Sequence, residues 1–136
     1  MDCIFCKIIA GELPTSKIYE DESLFAFLNI NPVHKGHALL IPKKHVSTIF
    51  DADDALLEHL AVTLKKLAGS IMKTVGAQGC TISSNNGAGQ QIPHLHWHLI
   101  PRFTDDNLTD WPHGSYASLE EKEAIAEMIR DSLSTL

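Results

Sequence analysis

Polar and apolar residues alternate along His94-Leu95-His96-Trp97-His98-Leu99-Ile100, a run bracketed by Pro93 and Pro101. Strict alternation of this length predicts a half-buried strand over residues 94–100. Side chains two apart share a face of a strand, so His94, His96 and His98 form a row and Leu95, Trp97 and Leu99 face the core. Apolar runs at 16–20, 24–30, 37–41 and 80–84 predict four more strands, punctuated by Glu20-Asp21-Glu22, Asn31-Pro32, Lys35-Gly36 and Pro42. Residues 24–28 are apolar on both faces, as in a strand covered on both sides. Leu56, Leu57, Leu60, Leu64, Leu67, Ile71 and Val75 recur at helical spacing, which predicts a long helix over 53–75. Asp51, Asp53 and Asp54 suit its N-terminal end, and Gly76 and Gly79 stop it. A short helix is expected over 3–10, with Asp2 as N-cap and Gly11 as the stop. Ser118 with Glu121 has capping-box spacing and opens a last amphipathic helix through Ile125, Met128, Ile129 and Leu133. The expected fold is α+β: a five-stranded antiparallel sheet with one long helix on a face and a C-terminal helix. The pattern leaves open whether the strands flanking the long helix are neighbours.

A chain of 136 residues, 44% of them hydrophobic, fits one domain with a real core. The formal net charge of −6 argues against a general nucleic-acid binder and leaves a small anionic substrate open. No apolar run approaches the roughly 18 residues of a membrane span. The start, Met1-Asp2-Cys3-Ile4-Phe5-Cys6, lacks a basic, apolar export signal. An odd count of three cysteines, two of them in Cys-x-x-Cys, fits the reducing cytoplasm and metal or redox use.

A row of imidazoles can bind a metal, bind a polyanion, or attack phosphorus or an acyl carbon; the bland alternative is a solvated strand face. Near neutral pH free imidazole is mostly uncharged, and so a usable nucleophile. His96 has a neighbour on each side, so one ring nitrogen can be oriented while the other is aimed at substrate. The preceding loop, Asn85-Asn86-Gly87-Ala88-Gly89-Gln90-Gln91, offers close backbone approach at Gly87 and Gly89 and neutral donors on Asn85, Gln90 and Gln91. By itself that loop is first of all a turn. Cys3 and Cys6 with two histidines, drawn from His45 and the triplet, would make a zinc set; two small buried thiols are the plain alternative. Cys80 reads as core, Lys43 and Lys44 as solvated, and His34, His59 and His113 as surface histidines.

The run from His94 to Ile100 resembles the His-φ-His-φ-His-φ-φ signature of the histidine-triad (HIT) superfamily. Phe27-Leu28-Asn29-Ile30-Asn31-Pro32, the stretch Gly36-His37-Ala38-Leu39-Leu40-Ile41-Pro42-Lys43-Lys44-His45, and the 85–91 loop resemble further blocks in the family's order. The likeness covers residues 3–103, leaving 104–136 as an extension of a single HIT-like domain with a helix that short phosphoramidase members lack. It implies a homodimer whose two sheets join, and nucleotidyl hydrolase or transferase chemistry on NMP–X substrates. By that resemblance His96 is the nucleophile on the α-phosphorus, with His98 and His37 in the catalytic group. Asn29 would hold the ribose, and Asn85, Gln90, Gln91 and His98 the phosphate. Relatives with an N-terminal Cys-x-x-Cys imply a structural zinc on Cys3, Cys6, His45 and His94, and no catalytic cofactor is expected. Three competing readings are a diadenosine polyphosphate hydrolase, a nucleotide-binding module without turnover, and a metalloenzyme whose triad holds a catalytic metal. Trp97 is bulkier than the family's usual aliphatic residue, and Trp111-Pro112 lies off the spacing of the family's C-terminal Trp-Pro.

Overall fold

The computed structural model describes residues 2–136. Five antiparallel strands form one sheet: β1 (Lys17–Glu20), β2 (Leu24–Leu28), β3 (Ala38–Pro42), β4 (Gly79–Ser83) and β5 (Trp97–Arg102). Their spatial order is β1-β2-β3-β5-β4. The strands before and after the long helix are therefore apart, separated by β5. The helices are α1 (Ile4–Ile9), α2 (Asp54–Val75) and α3 (Leu119–Leu133). Among the described residues no helix is long and apolar enough to cross a membrane.

Helix α2 starts where the Asp53 carboxylate accepts from Leu56 N–H and ends at Gly76 in the left-handed region. Its stripe of Leu60, Leu64, Leu67, Ala68 and Ile71 packs on Leu24, Ala26, Ala38, Leu40, Leu95 and Leu99. On the opposite face of the sheet Cys3 and Phe5 from the N-terminal segment cover Phe25, Phe27, Leu39 and Ile41. β2 and β3 are thus covered on both sides, as their unbroken apolar runs require. Ahead of α2, residues 49–51 form a 3-10 turn, which the pattern did not announce. It is closed by a reciprocal capping box between Thr48 and Asp51.

Several sequence boundaries shift. The N-cap of α1 is Cys3, with no side-chain cap; Asp2 instead pairs with Lys7 at 3.0 Å. β2 stops at Leu28, and Ile30 is exposed. β5 begins at Trp97, not at residue 94, and runs through Pro101 to Arg102. Two of the preceding three residues make other backbone bonds: His94 N–H donates to Ile92 C=O (2.8 Å), and Leu95 N–H to Val46 C=O (2.8 Å). Proline inside β5 is tolerated for a directional reason. Arg102 C=O accepts from Gln78 N–H on the β4 side. By alternation the Pro101 nitrogen faces β3, whose ladder ends at the Ala38–Leu99 pair.

The turn from His34 to His37 closes with His37 N–H on His34 C=O at 3.0 Å. Gly36 sits in it at φ +100°, and an added Cβ would lie 3.0 Å from Val75 Cγ1. Conformation and space both demand glycine. Gly36→Ala is expected to cost about 1–3 kcal/mol, measurable by urea unfolding; an unchanged midpoint would refute the packing described.

The chain divides into a unit ending at Asp106 and a second unit, Asn107–Leu136. In the second, Ser118 Oγ caps α3 by accepting from Glu121 N–H. Its expected apolar stripe forms, yet Met128, Ile129 and Leu133 are exposed.

Candidate functional site: a histidine row beside a thiol–imidazole cluster

Register on the sheet assembles the row. Phe27 pairs with Leu39, and Leu39 with His98, so these side chains share the face opposite α2. Moving two residues along each strand brings Asn29 and His37 beside His98. Moving the other way brings Ile41 and His96. The alternation read from the sequence survives even though residues 94–96 lie outside the ladder: Leu95 and Leu99 are fully buried toward α2. Trp97 packs on the same cluster half-buried, and among the described residues its Nε1–H meets no acceptor.

Hydrogen bonds to backbone fix the tautomers, because a carbonyl only accepts and an amide N–H only donates. His96 Nδ1 lies 2.8 Å from His94 C=O and therefore donates to it. In the neutral ring this leaves Nε2 bare, the form a nucleophile needs. His37 Nδ1 accepts from Val33 N–H at 3.0 Å, so its Nε2 carries the proton. That Nε2–H donates to His98 Nδ1 at 2.9 Å. His98 in turn holds its proton on Nε2 as an outward donor. The His96 and His98 rings are 5.2 Å apart, centre to centre. The row thus offers a bare nitrogen next to a directed N–H.

Burial first, and then the neighbouring His98, lower His37 to about 4 from an ordinary value near 6.5. Burial and His96 lower His98 as well. Both rings are uncharged at neutral pH, as the tautomer chain requires. The unfolded chain takes up these protons more readily than the folded one. Stability is therefore complete above about 6.5 and declines as pH falls toward about 4. Unfolding free energy measured across that window is expected to fall, and His37→Gln to flatten the fall. An equal slope in both proteins would refute the assignment.

Four potential ligand atoms gather at the other end of the row: Cys3, Cys6, His45 and His94, all within 4.8 Å of one another. His94 Nε2–H donates to Pro42 C=O at 2.8 Å, which frees Nδ1. That nitrogen lies 3.4 Å from Cys3 Sγ and 3.6 Å from Cys6 Sγ; His45 Nδ1 lies 3.4 Å from Cys6 Sγ. A tetrahedral ion with bonds of about 2.3 Å to sulfur and about 2.05 Å to nitrogen separates such ligands by about 3.5 Å. The donor set and these three sulfur–nitrogen spacings fit a tetrahedral thiophilic cation, in a cluster whose ligand atoms lie within 4.8 Å of one another. Without a cation, burial first and then the Cys3 thiol push the Cys6 thiol up; a bound cation would reverse this. The cluster takes His94 from the row and leaves His96 and His98 outside.

The remaining candidates divide. Asn29 Nδ2 lies 3.5 Å from His37 Nε2, at the row's far end. Asn85 and Gln91 are exposed on the loop. Gln90 is engaged within it: its Oε1 accepts from Gly87 N–H (3.1 Å) and its Nε2 donates to Ser47 C=O (2.6 Å). Asn86 Oδ1 accepts from Ile49 N–H (2.7 Å). Gly87 and Gly89 both have positive φ. His34, expected at the surface, is half-buried: its side chain is 26% exposed, while its Nε2 is buried 3.4 Å from Asp106. His59 does lie at the surface, paired with Asp21 at 2.7 Å, and His113 is exposed. Cys80 is half-buried against the α2 cluster. Sequence reasoning missed Phe5, whose ring meets His94 and His96 edge-on at 5.7 and 5.2 Å. Its place inside Cys-x-x-Cys was the available signal. It also missed Val33, which acts through its backbone and leaves no mark in the sequence.

The HIT domain profile matches residues 10–105. Adenosine 5'-monophosphoramidase hnt1 of Schizosaccharomyces pombe is 36% identical, covering 98% of this chain and 99% of that one. The crystal structure of a HIT family member from Bacillus subtilis superposes with a TM-score of 0.86 at 37% identity, covering 96% of each chain. A Zn-bound histidine triad family protein from Mycobacterium smegmatis gives 0.76 at 29% identity, covering 100% of this chain and 99% of that one. With the profile spanning most of the chain and the histidine row leading into the strand Trp97–Arg102, this chain belongs to the HIT family.

Proposed function

We propose that the protein is a nucleotidyl hydrolase or transferase that cleaves NMP–X substrates, of the adenosine phosphoramidate type, at the α-phosphorus. The observation that carries this reading is the His96–His94 hydrogen bond, which leaves His96 Nε2 bare in a row next to a directed donor. His96 Nε2 attacks phosphorus, and the P–X bond breaks with its electron pair going to X, which takes up a proton. Water then attacks the nucleotidyl–His96 phosphorus, the P–N bond breaks, and the nucleoside monophosphate leaves. Two easier displacements replace one hard one. His98 Nε2–H and the loop N–H groups other than those of Gly87 and Gln90 meet the oxygens on which charge builds. Asn29 holds the ribose; Asn85 and Gln91 contact phosphate, with Gln90 shaping the loop. The name of the fission-yeast relative supports this substrate class.

Cys3, Cys6, His45 and His94 hold a structural zinc in this reading, supported by the tetrahedral spacing and by the Zn-bound mycobacterial neighbour. The ion anchors the N-terminal segment next to the active row. The reading also takes the protein as a cytoplasmic homodimer that engages neither nucleic acid nor membrane. The exposed Ile82 on edge strand β4 supports joining of two sheets. It takes residues 104–136 as an extension of one HIT-like domain. The test is turnover of adenosine 5'-phosphoramidate and of diadenosine tetraphosphate by the full chain. Release of AMP from the first, well above the rate on the second, is expected. Preference for the second would replace this reading with the polyphosphate hydrolase, and turnover of neither would remove both.

A further inference from the structure

The bond that sets the His37 tautomer belongs to a turn that is braced from outside the row. Asp106 lies past the end of β5, with only 5% of its side chain exposed. Arg102 grips it with Nε at 2.7 Å and Nη2 at 3.1 Å, and Phe103 N–H adds a third donor at 3.1 Å. A third nitrogen of the same guanidinium reaches Thr81 Oγ1 on β4 at 3.0 Å. A carboxylate held bidentately by arginine is a rigid object. It lies 3.4 Å from the buried Nε2 of His34, a charge-to-ring contact in which Nε2 makes no hydrogen bond among the described residues, while the His34 ring stands edge-on to Phe103, 5.2 Å between centres.

His34 is not remote from the chemistry. Its carbonyl accepts the His37 N–H that closes the turn. The residue before it, Val33, supplies the N–H that occupies His37 Nδ1. His34 therefore adjoins both residues that make that bond.

We propose that Asp106 and His34 are positioning residues for the His37–His98 pair, bracing the Val33–His37 turn so that His37 keeps one tautomer and His98 keeps its outward N–H. The role in turnover rests on the function proposed above; the role in tautomer selection does not.

Two variants test it in the full chain. His34→Leu keeps packing on Phe103 and leaves the Arg102–Asp106 pair intact. Asp106→Asn keeps the shape and removes the charge. Imidazole nitrogen-15 spectra are expected to show one His37 tautomer in the parent protein and a mixture in His34→Leu. On adenosine 5'-phosphoramidate, kcat is expected to fall about ten- to a hundredfold, the scale of small misplacements next to a reacting centre. AMP affinity is expected to stay within about twofold, a split that general loosening of the fold would not give. Should Asp106→Asn fail to fold, His34→Leu decides alone. A single His37 tautomer retained in His34→Leu overturns the inference, as does a mixture with unchanged kcat. A parent protein that turns nothing over refutes the proposed function instead, and the spectra still decide the brace.

Discussion

Replacing His96 by alanine is expected to abolish turnover of an NMP–X substrate while nucleotide binding persists. The loss should be on the order of 10³-fold or more, because the variant removes the only route through a covalent intermediate. Binding survives because the proposed ribose and phosphate contacts come from Asn29, Asn85 and His98, which the substitution leaves in place. The ring is 5% exposed and meets Phe5 edge-on, so a buried cavity follows its removal. A parallel His96→Asn variant, closer in volume, separates lost chemistry from lost packing. Steady-state kinetics with calorimetric AMP titration checks both. Hydrolysis that survives either substitution would remove His96 from the mechanism.

If Cys3, Cys6, His45 and His94 hold the proposed cation, stripping it is expected to cost stability first and activity as a consequence. An ion that binds only the folded state contributes about 4 kcal/mol at a thousandfold excess over its dissociation constant. For a domain of this size that is a Tm drop of roughly 10 °C or more. Cys3→Ser should show the same drop and lose its sensitivity to chelator. Activity follows because one residue serves both sites. His94 offers Nδ1 to the cluster, and its carbonyl fixes the His96 tautomer. Calorimetry and turnover, measured on the same chelated samples, read the order. Activity lost with Tm unmoved would favour a catalytic metal over a structural one.

The long helix, the fold class and the histidine row were legible because each rests on periodicity, which burial imposes directly. Leu60, Leu64 and Leu67 announce α2 in any context; Leu95 and Leu99 announce which way His96 faces. The ends of β5 were not legible. Pro93 and Pro101 look like equal breaks, and only the end of the β3 ladder makes the second one harmless. The cysteine–histidine cluster was half legible. Cys3 and Cys6 declare themselves by spacing, and the residues narrowed the histidines to His45 and one of the triplet, but the choice of His94 within the triplet came from family likeness. The tautomers were not legible at all. They depend on Val33 N–H and on the carbonyls of His94 and Pro42, and backbone groups are the same whatever the residue. His34 was misread for a related reason. Its burial is set by Asp106, far along the chain, and a sequence window around either residue contains nothing of the other.

The nucleophilic role of His96 is tested most directly by stopping the reaction early. The full chain is mixed with radiolabelled adenosine 5'-phosphoramidate, quenched within the first turnovers under alkaline conditions that preserve phosphorus–nitrogen bonds, digested, and mapped by mass spectrometry. One labelled peptide is predicted, spanning residues 94–98, with the nucleotidyl group on His96 Nε2. Label on another residue, or none while AMP accumulates at the full rate, would contradict a covalent nucleotidyl–His96.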